Sequence, residues 1–258
     1  MCRHLAYLGP PATLAAVLSD PPYGLVRQSW APRQQRHGTV NVDGFGAGWY
    51  ADGDPVPARY RRAGPIWADP SFADLARVTR TRALLAAVRS ATDGTAPGEA
   101  AAAPFAADRW LFSHNGRLNE WPRATAALAA TLPPVELLEL EARTDSALAW
   151  ALVLHRLRAG DGLADALAGT IADLDGHGIT GRFNLLLTDG QQIAATAAGD
   201  TLCYRDAAGQ LTVGSEPSDE EPGWITVPDR SVLTGRPGSV QVTALKTEAA
   251  GVRPLSQP

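Results

Sequence analysis

The chain carries a thiol at its second position, Cys2, in Met1-Cys2-Arg3-His4-Leu5. Methionine aminopeptidase removes an initiator Met when the next side chain is as small as Cys, so Cys2 is expected to become the first residue of the mature protein. It would then hold a thiol and a free α-amine on one carbon. An N-terminal amine acting as base for the adjacent side chain is an established catalytic solution. The reference pKa values, about 8.5 for the thiol and about 7.7–8.0 for the amine, poise both groups near neutrality. Position alone fits a chance residue on a frayed terminus equally well. Four further segments bear on that choice: Val88-Arg89-Ser90-Ala91-Thr92, Ser113-His114-Asn115-Gly116, Thr144-Asp145-Ser146 and Gly214-Ser215-Glu216-Pro217.

A hydrolase acting on a glutamyl amide needs a nucleophile, which Cys2 supplies. It needs donors for the oxyanion that develops at the γ-carbonyl, and an Asn amide with the N–H of a following Gly, as in Asn115-Gly116, makes such a pair. Losing one such donor costs about 3–4 kcal/mol of barrier. The α-carboxylate of the substrate calls for an Arg, whose planar fork binds carboxylate at two points, and Arg89 fits. The α-ammonium calls for a carboxylate, and Asp145 fits. Each residue has a plainer alternative: Asn-Gly is a common turn, Asp145 can be only a helix cap, and Arg89 can sit in a surface ion pair. Their conjunction, in this order, carries the argument.

Composition limits the other classes. The chain has 258 residues, 45% hydrophobic and 19% charged, with a net charge of -4. That is an ordinary globular composition able to bury a sizeable core. There is no basic block for nucleic acid. The apolar stretches are short and interrupted, so no membrane span is expected, and Pro10, Pro11 and Asp20 break up any signal-peptide core. Two cysteines, Cys2 and Cys203, make no disulfide framework, and a free reactive thiol suits a reducing cytoplasm. Cys203 is expected to be an inert core residue. The five histidines, at 4, 37, 114, 155 and 177, show no metal-ligand spacing. No metal and no cofactor is called for.

Residues 3–8 are expected to form a first strand stopped by Gly9-Pro10-Pro11, with a short helix over 12–18. In Asp43-Gly44-Phe45-Gly46-Ala47-Gly48-Trp49-Tyr50, three glycines at alternate positions leave one strand face bare. Either a tight sheet contact or a substrate wall lies there. Asp69-Pro70 opens a helix over 71–78 as N-cap and first helical position. A strand follows at 82–89, an irregular loop at 92–107, and a strand at 110–114 that runs into a turn at His114-Asn115-Gly116. Helices are predicted at 136–141, at 144–158 (capped by Thr144 or Asp145) and at 161–174. The last third switches to strands at 182–188, 192–197, 201–204, 210–214 and 239–243, with turns at Asp189-Gly190, Gly199-Asp200 and Ala208-Gly209. Strands, then helices, then a meander predict an α+β fold with mostly antiparallel sheets. A single domain over 2–248 is expected, with a loose tail at 249–258.

With these segments in place, the chain resembles the glutaminase domain of class II glutamine amidotransferases. The features are Cys2 behind the initiator Met, an Arg-x-Ala-Thr segment, His-Asn-Gly and a later Thr-Asp. The resemblance implies the N-terminal nucleophile hydrolase fold, a four-layer αββα sandwich. It implies Cys2 as nucleophile with its α-amine as base, Arg89 on the glutamyl carboxylate, Asn115 and Gly116 as oxyanion hole and Asp145 on the glutamyl amine. Thr92 and His114, in the same segments, and Trp49, in the glycine-rich segment, complete the candidate substrate-binding set. Many amidotransferases have His-Thr-Arg-Trp-Ala-Thr-His-Gly where this chain has Ala87-Val88-Arg89-Ser90-Ala91-Thr92-Asp93-Gly94, so contacts of those His and Trp side chains do not carry over.

A more specific resemblance rests on Met1-Cys2-Arg3-His4, Gln28-Ser29-Trp30-Ala31-Pro32-Arg33, His37-Gly38, Asp43 to Trp49, Ala87 to Thr92, Trp110 to Gly116 and Ser215-Glu216-Pro217. These are similar to the amidohydrolase family of ergothioneine biosynthesis, which removes glutamate from γ-glutamyl-hercynylcysteine sulfoxide. The resemblance implies a small-molecule γ-glutamyl substrate and no obligate protein partner. Its leaving group ends in a permanent trimethylammonium, which suits aromatic faces. Trp30, Trp49, Tyr50 and Trp67 are the candidates. Three rivals stay open: a glutaminase subunit passing ammonia to a separate synthase, a non-catalytic relative that only binds γ-glutamyl compounds, or a hydrolase of another γ-glutamyl amine.

Overall fold

Side chains alternate across each strand, and that alternation sorts this chain into layers. The computed structural model describes residues 2–91, 94–95 and 97–246, so Thr92 and the tail at 249–258 lie outside the described residues. In chain order the elements are β1 (Arg3–Thr13), α1 (Leu14–Leu18), α2 (Leu25–Gln28), β2 (Phe45–Trp49), β3 (Ala58–Arg62), α3 (Pro70–Val78), β4 (Arg80–Val88), β5 (Phe105–Ala107), β6 (Trp110–Leu118), α4 (Ala126–Ala129), α5 (Pro134–Leu138), α6 (Asp145–Arg158), α7 (Leu163–Gly176), β7 (Gly181–Thr188), β8 (Ile193–Ala197), β9 (Cys203–Ala207), β10 (Gln210–Gly214), β11 (Ile225–Thr226), β12 (Ser231–Arg236) and β13 (Ser239–Ala244). One sheet has the order β11-β9-β10-β1-β4-β2-β3, the other β13-β12-β8-β7-β6-β5. The strand pairings are antiparallel throughout.

Three apolar clusters define the layers. Leu5, Tyr7, Phe45, Leu84 and Ala86 face Leu14, Leu18, Leu25 and Phe72 of the first helical layer. Ala6, Leu8, Leu85 and Val213 of the first sheet meet Leu111, Leu186, Ile193 and Leu233 of the second. Phe112, Leu185 and Leu187 pack on Leu148, Leu152, Leu167 and Ile171 of α6 and α7. Phe112 stacks on Trp150 with ring centroids 5.2 Å apart. The architecture is the expected α+β sandwich, helix layer, sheet, sheet, helix layer.

The bare glycine face of β2 resolves as a tight sheet contact. A β-carbon at Gly46 would lie 2.5 Å from the Ala103 carbonyl oxygen, and one at Gly48 would lie 2.7 Å from Leu111 Cδ2. These glycines let the β5–β6 layer come close; they do not line a substrate wall.

Several elements differ from the sequence expectation. The strand β1 is not stopped at Gly9-Pro10-Pro11 but runs on to Thr13. A register shift between Leu8 and Ala12 takes up the prolines, which have no N–H for the ladder. The hydroxyl of Tyr7 donates to Pro10 O at 2.7 Å across this bulge. His114-Asn115-Gly116 is not a turn: β6 continues to Leu118, because β7 offers it a partner as far as Gly181. The expected loop over 92–107 contains β5, which pairs with β6. The strands β3, β11 and β12 were not anticipated. The first reads Ala-Arg-Tyr-Arg-Arg, a charged sequence that suits its place on a sheet edge. The caps follow local rules. Asp69 accepts from Phe72 N at 2.9 Å, and Thr144, not Asp145, caps α6 by accepting from Ala147 N at 3.1 Å. Cys203 is buried as expected, and burial pushes its thiol pKa up.

At one end of the inter-sheet space the apolar contacts give way to a polar layer. His4, Ser113, Asn115 and Ser215 meet there, all fully buried. The Nδ1 of His4 lies 3.2 Å from Ser113 Oγ. Burial, then the proximity of His114 and Arg3, holds the His4 pKa down to about 3, so the ring is neutral at physiological pH.

Two predictions follow from this packing. Gly46→Ala forces β2 away from Ala103. It is expected to destabilise by ~2 kcal/mol, a fall of ~4–8 °C in melting temperature; an unshifted melt would contradict the close contact. His4 gives an acid-side effect. As the pH drops from about 6.5 toward about 3, the unfolded chain binds a proton that the native chain excludes, so stability present above that range is lost as pH falls. In a His4→Asn variant the slope of unfolding free energy between about pH 6 and pH 4 should be shallower by ~1.4 kcal/mol per pH unit. An unchanged slope would contradict the burial of a neutral imidazole.

Candidate active site

Cys2 immediately precedes β1, an interior strand, and is half-buried. The ladder pairs Arg3 with Val88, so the chain at Cys2 runs beside Arg89 and Ser90 past the end of β4. The thiol sits 3.8 Å from the Ser90 carbonyl oxygen. Its pKa is raised, mainly by burial; the positive amino terminus, the Ser90 contact and Arg89 oppose the rise, and Asp145 adds to it.

Arg89 is nearly buried and strapped to the segment before β2. Its NH1 donates to Asp43 O at 3.2 Å and its NH2 to Thr95 Oγ1 at 3.0 Å. Backbone bonds reinforce this: Asp43 N to Arg89 O at 3.0 Å and Arg89 N to Gly44 O at 2.7 Å. The Asp43 carboxylate accepts from Ala91 N at 2.7 Å. Asp43 is thus a support that residue-type reasoning overlooked, although it heads the glycine-rich segment already singled out.

The second sheet and α6 supply the opposite wall. Asp145 opens α6, where the positive end of the helix dipole favours a carboxylate. It is 3% exposed; its Oδ2 accepts from Leu118 N at 3.0 Å and its Oδ1 from Ser146 N at 2.8 Å. His114 turns toward the helical layer. Its Nε2 donates to Arg182 O at 2.9 Å, and its Nδ1 lies 3.0 Å from Ser146 Oγ. A β-carbon at Gly116 would collide with the Arg182 carbonyl, so only glycine lets β6 and β7 close here.

Cys2, Arg89, His114, Gly116 and Asp145 therefore line one cleft, together with Ser90, Thr95, Ala101, Ala103, Phe105 and Ser113. The cleft brings a thiol, a guanidinium and a carboxylate together. Asn115 stands just behind this lining. It points from β6 into the inter-sheet space, and its Nδ2 donates to Ser215 Oγ at 3.2 Å. One N–H of that amide remains for another acceptor. Thr92 lies outside the described residues. Trp49 is not at the cleft: it packs on the cluster under the first helical layer, because alternation along β2 turns it to the same side as Phe45 and Ala47.

Tyr50 is likewise elsewhere, its buried hydroxyl donating to Arg109 O at 2.8 Å and Thr188 O at 3.0 Å. Trp30 and Trp67 meet edge to face with centroids 5.4 Å apart and planes at 81°, and both rings are partly exposed. On the far side of β1, Glu216 is buried and accepts from Arg33 N at 2.9 Å and Gln34 N at 2.7 Å, pinning the loop that carries them. Among the described residues no group of three or more His, Cys, Asp and Glu could hold a metal ion, and no helix is long and apolar enough to cross a membrane.

Known proteins resemble this chain in sequence and in fold. The family model described as "Glutamine amidotransferases class-II" matches residues 13–208. The γ-glutamyl-hercynylcysteine sulfoxide hydrolase of Mycolicibacterium smegmatis is 42% identical over 245 residues, covering 95% of this chain and 100% of that protein. The Mycobacterium tuberculosis protein of the same name is 39% identical over 246 residues, covering 95% and 97%. Among solved structures, a glutamine aminotransferase class-II domain protein from Silicibacter pomeroyi superposes with a TM-score of 0.68 at 25% identity, covering 95% of this chain and 100% of that one. The glutamine phosphoribosylpyrophosphate amidotransferase of B. subtilis shares the fold, with a TM-score of 0.68 at 14% identity over 96% of this chain and 50% of that one. The chain belongs to the class II glutamine amidotransferase family.

Proposed function

We propose that the protein hydrolyses the γ-glutamyl amide bond of γ-glutamyl-hercynylcysteine sulfoxide, releasing glutamate and hercynylcysteine sulfoxide, with Cys2 as the nucleophile. The observation that carries this reading is a single cleft holding a thiol, Arg89 and Asp145, in a chain 42% identical along 95% of its length to a hydrolase of that name. Arg89 takes the glutamyl α-carboxylate and Asp145 the α-ammonium, which leaves the γ-carbonyl facing Cys2. Burial keeps the thiol protonated at neutral pH, so a base is required. Removal of Met1 frees the α-amine of Cys2 for that role.

The amine takes the thiol proton, and sulfur attacks the γ-carbonyl carbon. The oxyanion is met by the Gly116 N–H and the Asn115 amide. The amine returns the proton to the leaving nitrogen, the C–N bond breaks, and a γ-glutamyl thioester remains on Cys2. Water, deprotonated by the same amine, attacks the thioester carbonyl; the thiol leaves and glutamate is formed. A free thiol working this way belongs in a reducing compartment, and we place the enzyme in the cytoplasm. No protein partner is needed for the reaction.

Two measurements test the reading. Cys2→Ala is expected to abolish glutamate release from the sulfoxide while retaining substrate binding; residual turnover near the wild-type rate would exclude the thiol mechanism. In the same assay the wild-type protein should prefer the sulfoxide to glutamine, whereas an ammonia-supplying glutaminase would favour glutamine. The trimethylammonium of the leaving group has two exposed aromatic candidates left, Trp30 and Trp67, whose perpendicular rings suit a cation. Replacing both by Ala should raise KM for the sulfoxide ~5-fold or more without altering the melt. A KM within twofold (about the error of such a comparison) would remove the pair from this role.

A further inference from the structure

We propose that Ser215 is a positioning residue for this reaction: it holds the Asn115 amide in the orientation that oxyanion stabilisation requires. The inference rests on the role given to Asn115 above. Ser215 is fully buried and directly follows β10. Its N–H donates to His4 O at 3.0 Å, which extends the β1–β10 ladder by one residue beyond Gly214. Its Oγ accepts from His4 N at 3.1 Å and from Asn115 Nδ2 at 3.2 Å, and its own hydrogen points to His4 O at 3.4 Å. Two accepted bonds and one donated bond use the full capacity of a hydroxyl.

The bond to Asn115 spans the two sheets, since β10 belongs to one and β6 to the other. An Asn amide rotates broadly about its terminal torsion. The Oδ1 of Asn115 has no partner among the described residues, so nothing on that side holds the amide. Ser215 engages one N–H of Nδ2 and leaves the second for an oxyanion. It is itself anchored to His4, two residues from Cys2 on the same strand. The donor and the nucleophile are thereby referenced to one segment of backbone, although they arise from different sheets.

The test is a double-mutant cycle on glutamate release with melting curves for each variant. Ser215→Ala should lower kcat ~10-fold with KM within about twofold, and should cause no further loss in an Asn115→Ala background. Asn115→Ala alone should lower kcat by about 100-fold or more. Wild-type kcat in Ser215→Ala overturns the proposal, as does an undiminished 10-fold loss on top of Asn115→Ala. Wild-type kcat in Asn115→Ala instead overturns the reading of Asn115 itself. Ser215→Thr and Ser215→Val, which are near-isosteric and differ in the hydroxyl, cover the case of an alanine variant that does not fold. The Thr variant should turn over ~10-fold faster than the Val variant, and equal rates would sink the proposal.

Discussion

Everything at the cleft depends on β1 being an interior strand. Paired with β4 on one side and β10 on the other, it cannot slide or fray at its N-terminal end without breaking two ladders. This fixes Cys2, which lies one residue before β1, where a residue at a loose strand end would be mobile. The same pairing sets its neighbours. The strand β4 delivers Arg89 and Ser90 to one side of Cys2, and the segment after β10 delivers Ser215 and Glu216 to the other. One register decision thus places all of these groups, and a slip by a single residue would turn every one of them to the opposite face.

The inter-sheet space is divided along its length. Where Ala6, Leu8, Leu85 and Leu111 meet, it is apolar and contributes to stability in the ordinary way. At the Cys2 end it holds His4, Ser113, Asn115 and Ser215 instead. Two of their atoms, His4 Nε2 and Asn115 Oδ1, are buried without a partner among the described residues. Such groups cost stability, and a fold tolerates them where chemistry needs polar atoms out of bulk water. Glycines 46 and 48 contribute from behind by letting β2 close on Ala103 and Leu111, and Ala103 is itself part of the cleft wall.

That Cys2, Arg89 and Asp145 belong together was legible from residue types, because each role proposed for them has a narrow chemical specification, and one cleft holds all three. A fork for a carboxylate selects Arg89, a counter-ion at a helix start selects Asp145, and a thiol beside an amine selects Cys2. Local structure governed by neighbours in sequence was also legible. Asp69 and Thr144 cap their helices through bonds spanning three residues, which a short window contains. Elements that depend on distant partners were not. Asn115-Gly116 has the composition of a turn, yet it is strand because β7 lies alongside it. The strand β3 carries three arginines and a tyrosine in five residues and is strand because β2 pairs with it.

The amino-acid sequence alone therefore determined the inventory: which side chains can attack, which can bind a glutamyl group, and what the local caps and turns must be. These follow from chemistry that acts within a few residues. The tertiary structure decided which members of the inventory meet. Alternation along β6 sends His114 and Gly116 to the helical side and Asn115 into the gap between the sheets. Alternation along β2 carries Trp49 away from the cleft. Only the stacking of two sheets brings Ser215 within 3.2 Å of Asn115, 100 residues away along the chain. The facing of a strand and the partner across a sheet are set by long-range packing, which no short stretch of sequence contains.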